Sequence, residues 1–247
     1  MTLKIENLTG GYFGTTVLKD VDFMVNDGEL VGLIGLNGAG KSTTIQEIIG
    51  LLTPYQGQIL LDGVSIREDA ETYRKKIGFI PEQPSLYEEL TLREHIEVTA
   101  LAYDVAPEVA MVRAEKLLKT FRLSDKLDWF PANFSKGMKQ KVMIICAFLT
   151  EPSLYIIDEP FLGLDPLAIN DLIDLMLEMK KTGASILMST HILSTAERFC
   201  DKFIVLHEGR VIADGDLAAL RVKFNLPEAS LDEIYVALTD ESWQAHG

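Results

Sequence analysis

Cysteines and long apolar runs are both scarce in this chain of 247 residues. Its two cysteines, Cys146 and Cys200, have no CxxC spacing, which argues against a disulfide framework or a zinc site. The longest unbroken apolar run, at 142–149, is far shorter than the roughly 20 residues of a membrane-spanning helix. The first residues also lack the basic and apolar stretches of a signal peptide. We therefore expect a cytosolic protein without a membrane span of its own.

Positive charge is also scarce. The chain has 23 lysines and arginines but 37 aspartates and glutamates, which gives a net charge of −14. An acidic surface repels the phosphates of nucleic acids and the headgroups of anionic lipids. This balance argues against nucleic-acid binding and predicts that the protein associates with a membrane by binding a protein partner.

The chain lacks internal repeats and linkers rich in proline, glycine or serine. Its length suits one elaborate domain or two small ones.

The first third of the chain carries several strand patterns. Apolar and polar residues alternate over 2–8 and 17–25, as they do in amphipathic strands. The apolar run LVGLI at 30–34 precedes a glycine-rich loop and the predicted start of a helix near Lys41. Residues 57–66 hold two short strand patterns around an Asp-Gly turn, which is typical of a hairpin. This third is predicted to combine antiparallel strands with one buried strand.

Helical signals dominate residues 85–150. Thr91 and Glu94 form a capping-box pattern, Pro107 stands where the first turn of a second helix is expected, and Ser135 precedes a third.

Beyond residue 150, apolar strand patterns alternate with helical ones. The strand patterns lie at 154–158, 184–190, 203–207 and 210–215. This alternation predicts an α/β fold with a parallel sheet that is covered on both faces. A last helical face, expected to pack back on the body, holds Leu231, Ile234, Tyr235 and Leu238.

A glycine-rich loop follows the strand pattern at 30–34 and opens a helix, which is the context of a phosphate-binding P-loop. It fits the pattern G-x4-G-K-[ST] and continues into the helix through Gly35, Leu36, Asn37, Gly38, Ala39, Gly40, Lys41, Ser42 and Thr43. The glycines let backbone N–H groups turn toward phosphate oxygens, and the helix N-terminus adds partial positive charge. Lys41 is predicted to reach the β- and γ-phosphates, and the Ser42 hydroxyl to bind Mg²⁺.

A second motif is the apolar strand LYII that ends in Asp158 and Glu159. A buried parallel strand delivers such acids to the carboxyl edge of its sheet, where nucleotides bind in open α/β folds. Asp158 is predicted to hold the Mg²⁺ shell, and Glu159 to polarise the attacking water. The two motifs together predict a P-loop nucleotide hydrolase. The chain has no Asn-Lys-x-Asp motif for reading guanine, which disfavours a GTPase.

The segment Phe134-Ser135-Lys136-Gly137-Met138 narrows this class. At this point the sequence resembles the ATP-binding cassette (ABC) family, whose signature LSGGQ occupies the same place. Four further positions match in family order: Tyr12 as the adenine-stacking aromatic, Glu82-Gln83 in the Q-loop, Asp165 in the D-loop and His191 as the switch histidine. The resemblance covers essentially the whole chain.

The resemblance implies a RecA-like P-loop core with an N-terminal antiparallel β-subdomain and an inserted helical subdomain at about 85–150. It assigns 2–230 to the ATP-binding domain and 231–247 to a short C-terminal helix and tail. It implies ATP and Mg²⁺ as cofactors, with Glu159 and His191 as the catalytic residues. The implied metal ligands are Ser42, Asp158 and Glu82.

The resemblance also implies two protein partners. A second copy would bind head to tail, so that each ATP lies between the P-loop of one subunit and the Ser135 and Gly137 signature of the other. A transmembrane permease on a separate chain would dock on the helical region and the Q-loop. That permease would hold the protein at the inner face of the cell membrane.

The likeness is closer still to the ATPase subunits of Ecs-type bacterial exporters, which are associated with peptide export and protein secretion. It rests on GLNGAGKSTTIQEIIGLL and on FSKGMKQKVMIICAFLTEPSLYIIDEPFLGLDPLAIN. Two motifs depart from the family pattern. The signature has Lys136 and Met138 at its third and fifth positions, and Glu82 falls where the Q-loop glutamine is expected, with Gln83 beside it. Either could serve as the Q-loop residue, and a non-transport ABC ATPase or an importer ATPase remains an alternative.

Overall fold

The computed structural model describes residues 3–239, which fold around two β-sheets. Most strands have the bounds that the apolar patterns predict, to within a few residues. In chain order the strands are β1 (Leu3–Tyr12), β2 (Thr15–Val25), β3 (Leu30–Ile34), β4 (Gln56–Leu61), β5 (Val64–Ser65), β6 (Ile77–Ile80), β7 (Leu154–Asp158), β8 (Ser185–Thr190), β9 (Lys202–His207) and β10 (Arg210–Gly215).

The N-terminal sheet is antiparallel and has the strand order β2-β1-β4-β5. β1 and β2 form a hairpin in which Tyr12 pairs with Thr15 at the tip. The Asp-Gly turn at 62–63 joins β4 to β5, as its sequence predicts.

The second sheet has the strand order β10-β9-β3-β8-β7-β6 and is parallel except for the antiparallel pair β9 and β10. β3 lies between β9 and β8, and β8 separates it from β7. In register, Ile34 lies opposite Thr190 and Asp158 lies opposite Ser189. Because parallel strands point the same way, the ends of β3, β7 and β8 meet at one edge of the sheet.

Helices cover this sheet and form a separate region between β6 and β7. The helices of residues 3–239 are α1 (Lys41–Ile48), α2 (Ala70–Lys75), α3 (Leu92–Ala102), α4 (Pro107–Phe121), α5 (Lys136–Leu149), α6 (Pro166–Lys181), α7 (Leu193–Phe199), α8 (Leu217–Lys223) and α9 (Leu231–Thr239), with short 3-10 turns at Ser124–Lys126 and Pro131–Asn133. The predicted caps are confirmed: Thr91 and Glu94 form a reciprocal capping box, and Ser135 accepts from the Met138 amide at 3.2 Å.

The core lies on both faces of the parallel sheet. Leu30 and Ile34 of β3 pack among buried side chains of the helices, whereas Val31 and Leu33 pack toward the antiparallel sheet. Successive side chains of a strand point to opposite faces, so a strand covered on both sides needs apolar residues at every position. This explains why β3 and β7 appear in the sequence as unbroken apolar runs.

Three short elements lack a clear sequence signal: α2, β6 and α8. Each has four to seven residues, too few to show a hydrophobic period. Among the helices of residues 3–239, none is long and apolar enough to cross a membrane.

Candidate functional site

The loop between β3 and α1 is shaped by glycines and leads into Lys41. Gly38 and Gly40 have φ angles of 85° and 110°, which larger side chains avoid. Lys41 begins α1, and its side chain is only 7% exposed. Its ammonium donates to the Gly35 carbonyl at 2.8 Å and lies 3.6 Å from Oε1 of Glu159. The loop therefore places a buried cation beside the end of β7.

Two acidic residues stand at the end of β7, and Ser189 of β8 contacts both. The Ser189 hydroxyl donates to the Asp158 carboxylate and accepts from the Glu159 amide at 3.1 Å. Both acids are buried, and Glu159 has a φ of 46°, a left-handed conformation in which the chain turns away from the strand. Oε2 of Glu159 lies 2.8 Å from Nδ1 of His191. The Glu159 carboxylate thus has an ammonium at one oxygen and an imidazole at the other.

These groups face a cavity of about 450 Å³ at the carboxyl edge of the parallel sheet. Tyr12 reaches it from the end of β1, and Glu82 from the segment after β6. The Tyr12 hydroxyl donates to Oε1 of Gln46 at 2.9 Å and accepts from the Thr43 hydroxyl at 3.4 Å, which ties it to α1. The cavity is lined by Tyr12, Val17, Leu36, Asn37, Gly38, Gly40, Lys41, Ser42, Thr43, Glu82, Glu159, Leu162 and His191.

The structure does not bring every predicted site residue to this cavity. Glu82 lines it, but its neighbour Gln83 does not. Asp158 lies beside it, in contact with Ser189, while Gly35 and Ala39 belong to the loop without lining the cavity. Ser135, Gly137 and Asp165 also do not line it.

These last three residues form a second cluster, where α5 meets the segment before α6. A Cβ atom on Gly137 would lie 2.4 Å from the Gly163 carbonyl oxygen, so this contact requires glycine. Asp165 caps α6 by accepting from the Ala168 amide at 2.9 Å. Its carboxylate also lies 2.8 Å from the buried Lys141 ammonium, and this hydrogen bond lowers the pKa of Asp165.

Several residues that support the site were not predicted from the sequence. Gln46 positions Tyr12, and Gln140 of α5 donates to the Pro81 carbonyl at 3.1 Å, next to Glu82. The Tyr235 hydroxyl of α9 accepts from the Leu36 amide at 2.8 Å. Only Ser189 carried a usable signal, because it stands at the end of an apolar strand and two residues before His191. The other contacts join segments that are distant in the sequence.

A glycine-rich loop, a strand ending in two acids, and an intervening strand that leads to a histidine define a P-loop nucleotide hydrolase. A sequence profile of the family described as ABC transporter matches residues 18–162. The chain belongs to this family, as the ATP-binding subunit of an ABC transporter, a kind of protein that hydrolyses ATP.

Individual relatives agree with this assignment. The chain is 60% identical over 239 residues to EcsA of Bacillus subtilis (strain 168), an ABC-type transporter ATP-binding protein, and the match covers 97% of each. A solved ATP-binding subunit of an ABC transporter has a TM-score of 0.95 and 57% identity, with 97% of this chain and 100% of that chain covered. The cassette MJ0796, solved as a dimer in a post-hydrolysis state with ADP and Pi, has a TM-score of 0.79 and 28% identity, with 87% and 98% covered.

Proposed function

We propose that this cavity binds ATP with Mg²⁺ and that its own side chains hydrolyse the nucleotide to drive an exporter. The observation that supports this most is the position of Glu159, whose carboxylate lies between Lys41 and His191 at the carboxyl edge of the sheet. A general base must be within reach of the proton that it accepts and must be held in place.

The residues that line the cavity suit both the base and the phosphates of a nucleotide. The Tyr12 ring offers a flat apolar face on which adenine can stack. The loop amides and the N-terminus of α1 offer donors and partial positive charge to the phosphates. Lys41 would exchange its present partners, the Gly35 carbonyl and Glu159, for phosphate oxygens. Glu159 would then accept a proton from the attacking water, and His191 would contact the γ-phosphate and orient that water.

The side chains also suit Mg²⁺, which stabilises the charge that develops on the phosphates when it is bound. Magnesium takes oxygen ligands and is usually held by one or two carboxylates together with substrate phosphates. Within residues 3–239, no cluster of three or more His, Cys, Asp or Glu side chains forms a complete metal site, so phosphate oxygens would complete the shell. We assign the protein ligands to the Ser42 hydroxyl, the Asp158 carboxylate and Glu82.

A second copy of the chain would complete the site. Ser135 and Gly137 do not line the cavity of their own chain, although they stand at the N-terminus of the 14-residue helix α5. The N-terminus of a helix attracts anions through its backbone N–H groups and its partial positive charge. In a head-to-tail dimer this end of α5 would face the γ-phosphate bound to the partner, with Asp165 close by. The dimeric state of the MJ0796 relative supports this arrangement.

A separate permease would dock on the helical region. An apolar cavity of about 540 Å³ lies between α3 and α4, and residues 96–111 contribute its lining. Leu101, on its rim, is 79% exposed, and Val112 of α4 is also exposed. Apolar side chains that are exposed together commonly mark an interaction surface. A permease segment seated here would place the protein at the inner face of the membrane.

The assignment of export follows the likeness to Ecs-type exporters, with peptide or protein secretion as the process served. We assign the ATP-binding domain to 2–230, with the helical subdomain at about 85–150, and a short helix and tail to 231–247, of which 240–247 lie outside the described residues.

The variant Glu159→Gln tests this function. It keeps the shape of the side chain but removes the base, so ATP should still bind while turnover falls by about 100-fold or more. An ATP-bound dimer should then accumulate on size-exclusion chromatography. The matched control is Glu151→Gln, an exposed acid before β7 that pairs with Arg113 and should keep normal turnover. Normal turnover in Glu159→Gln would rule out the proposed base.

A further inference from the structure

The C-terminal helix α9 contacts the P-loop directly. The hydroxyl of Tyr235 accepts a hydrogen bond from the backbone amide of Leu36 at 2.8 Å, across 199 residues of sequence. Tyr235 is only 5% exposed. The resemblance to the ABC family places this helix outside the ATP-binding domain, and so assigns the helix no part in nucleotide binding.

This hydrogen bond acts on the same peptide group that holds Lys41. The Gly35–Leu36 peptide receives the Lys41 ammonium on its carbonyl, at 2.8 Å, and donates its amide to Tyr235. In a trans peptide the C=O and N–H bonds point in opposite directions, so holding one end fixes the direction of the other. Tyr235 therefore fixes where the Gly35 carbonyl points, and with it the first turn of the phosphate loop.

Tyr235 can serve as a fixed point because α9 is itself firmly anchored. Leu231 and Ile234 are fully buried in the core cluster that also contains side chains of α7. The Leu231 amide donates to a carboxylate oxygen of Glu197 in α7 at 2.7 Å. Ser230 and Glu233 cap the helix reciprocally, with the Ser230 amide donating to Glu233 at 2.7 Å.

We propose that Tyr235 is a positioning residue for the P-loop, through which helix α9 sets the affinity for nucleotide. The inference rests on the proposed function, because it takes the cavity to be the nucleotide site. A binding loop that is ordered before the ligand arrives spares the ligand the cost of ordering it. The Tyr235 hydroxyl supplies part of this order from outside the cavity.

If Tyr235 positions the P-loop, its loss should change the affinities for ADP and ATP in a specific way. Tyr235 orders the loop whose amides would bind phosphates that ADP and ATP share, and it does not contact the γ-phosphate that Lys41 would also reach. Loss of the hydroxyl should therefore weaken both nucleotides by about the same factor. Helix α9 also packs on α7, which begins two residues after His191. An effect passed through α7 would instead change the hydrolysis step and leave ADP affinity as it was.

The test is Tyr235→Phe in the full chain, which keeps the buried ring and removes only the hydroxyl. We expect the Kd values for ADP and ATP, measured by calorimetry, to rise together by about 3- to 10-fold, the range expected for one lost hydrogen bond. The KM for ATP should rise by the same factor while kcat stays within about twofold. The matched control is Tyr103→Phe, whose hydroxyl donates to the Ile77 carbonyl at 2.8 Å without lining the cavity. Its nucleotide affinity should not change.

The inference would be overturned by an ADP affinity within twofold of the unmodified protein, by a tighter affinity, or by a loss confined to kcat. A lower melting temperature with unchanged ADP affinity would show a purely structural role for Tyr235 and would also overturn it. Lys41→Ala separates this inference from the proposed function. If Lys41→Ala keeps full nucleotide affinity, the nucleotide site itself is misassigned. If Lys41→Ala loses affinity and Tyr235→Phe does not, only the role of Tyr235 is wrong.

Discussion

Glu82 is the residue whose chemistry departs most from the family pattern while still facing the cavity. It follows Pro81, whose carbonyl accepts a hydrogen bond from Gln140 of α5. A carboxylate at this place adds a negative charge beside the proposed Mg²⁺, whereas an amide would add none. Oxygen ligands of either kind suit magnesium, but the carboxylate binds it more strongly. The proposed nucleotide site should therefore depend on Glu82 for its metal affinity.

Separate alanine variants of Glu82 and Gln83 distinguish the two candidates for the Q-loop residue. Glu82→Ala should lower ATPase activity by about 10-fold and raise the Mg²⁺ concentration needed for half-maximal rate, as loss of a metal-supporting group commonly does. Gln83→Ala should leave both quantities unchanged, because Gln83 does not line the cavity. ATPase assays over a series of Mg²⁺ concentrations measure the effect. The reverse pattern would assign the Q-loop role to Gln83.

At the scale of elements, the N-terminus of α5 depends on a contact with the segment before α6. Ser135 caps the helix, and Gly137 lies against the Gly163 carbonyl, where a Cβ atom would come within 2.4 Å. The side chain of Lys136 passes within 4 Å of the position that a Cβ on Gly163 would take. Helix α5 and the segment before α6 are thus packed backbone to backbone, and a shift of one must move the other.

Gly137→Ala tests this packing. The added methyl group cannot be accommodated against a backbone carbonyl, so the start of α5 should shift away from Gly163. Since the proposed dimer uses this helix end, ATPase activity should fall by about 10-fold or more, with stability lowered by about 1–3 kcal/mol. Activity assays and thermal unfolding measure the two effects. Lys136→Ala is the neighbouring control and should keep its stability; equal stability loss in both variants would contradict the contact with Gly163.

Elements with strong local signals were predictable, and those without were not. β3 and β7 carry unbroken apolar runs, and α3 and α5 carry capping residues that act on their own first turns. The four residues of β6 have no comparable signal, because only pairing with β7 makes them a strand. The residues of the site divide in the same way, into those with a local sequence signal and those without one. The P-loop is a local motif, but the contacts of Gln140 and Tyr235 depend on the tertiary fold.

At the scale of the whole molecule, α1 joins the P-loop to the antiparallel sheet through a buried acid. A Cβ atom on Gly10 of β1 would lie 1.7 Å from Oε1 of Glu47, so the two elements touch at this carboxyl group. Burial raises the pKa of Glu47 to about 7, and the Gly11 amide opposes part of the rise. Packing between the two layers is therefore coupled to the protonation of one side chain.

This coupling predicts how stability depends on pH. Between the ordinary glutamate pKa and about 7, the folded state binds more protons at Glu47 than the unfolded state does. Stability should therefore fall as pH rises through this window and level off above it. Glu47→Gln should remove most of this slope and raise the free energy of unfolding above the window by about 1–3 kcal/mol. Urea unfolding at several pH values measures this. Glu228→Gln, at an exposed position, should keep the slope, and an unchanged slope in Glu47→Gln would refute the coupling.

Two features of the whole molecule bear on the proposed docking to a permease: the net charge of −14 and the apolar cavity between α3 and α4, which we also call the groove. Acidic surfaces are repelled by anionic headgroups, so we expect the protein to reach a membrane through apolar contact with the proposed permease. Glu97 and Asp104 also line the groove, which favours a partner segment with apolar residues flanked by basic ones.

Leu101→Asp places a charge in this groove, where docking would strip it of water at a cost of several kcal/mol. In its native cells, the variant protein should move from the membrane fraction to the soluble fraction. The ATPase activity of the isolated chain should not change, because Leu101 does not line the proposed nucleotide cavity. Val222→Asp makes the same change at an 82% exposed position of α8 and should stay with the membranes. If Leu101→Asp also stays there, the permease docks on another surface.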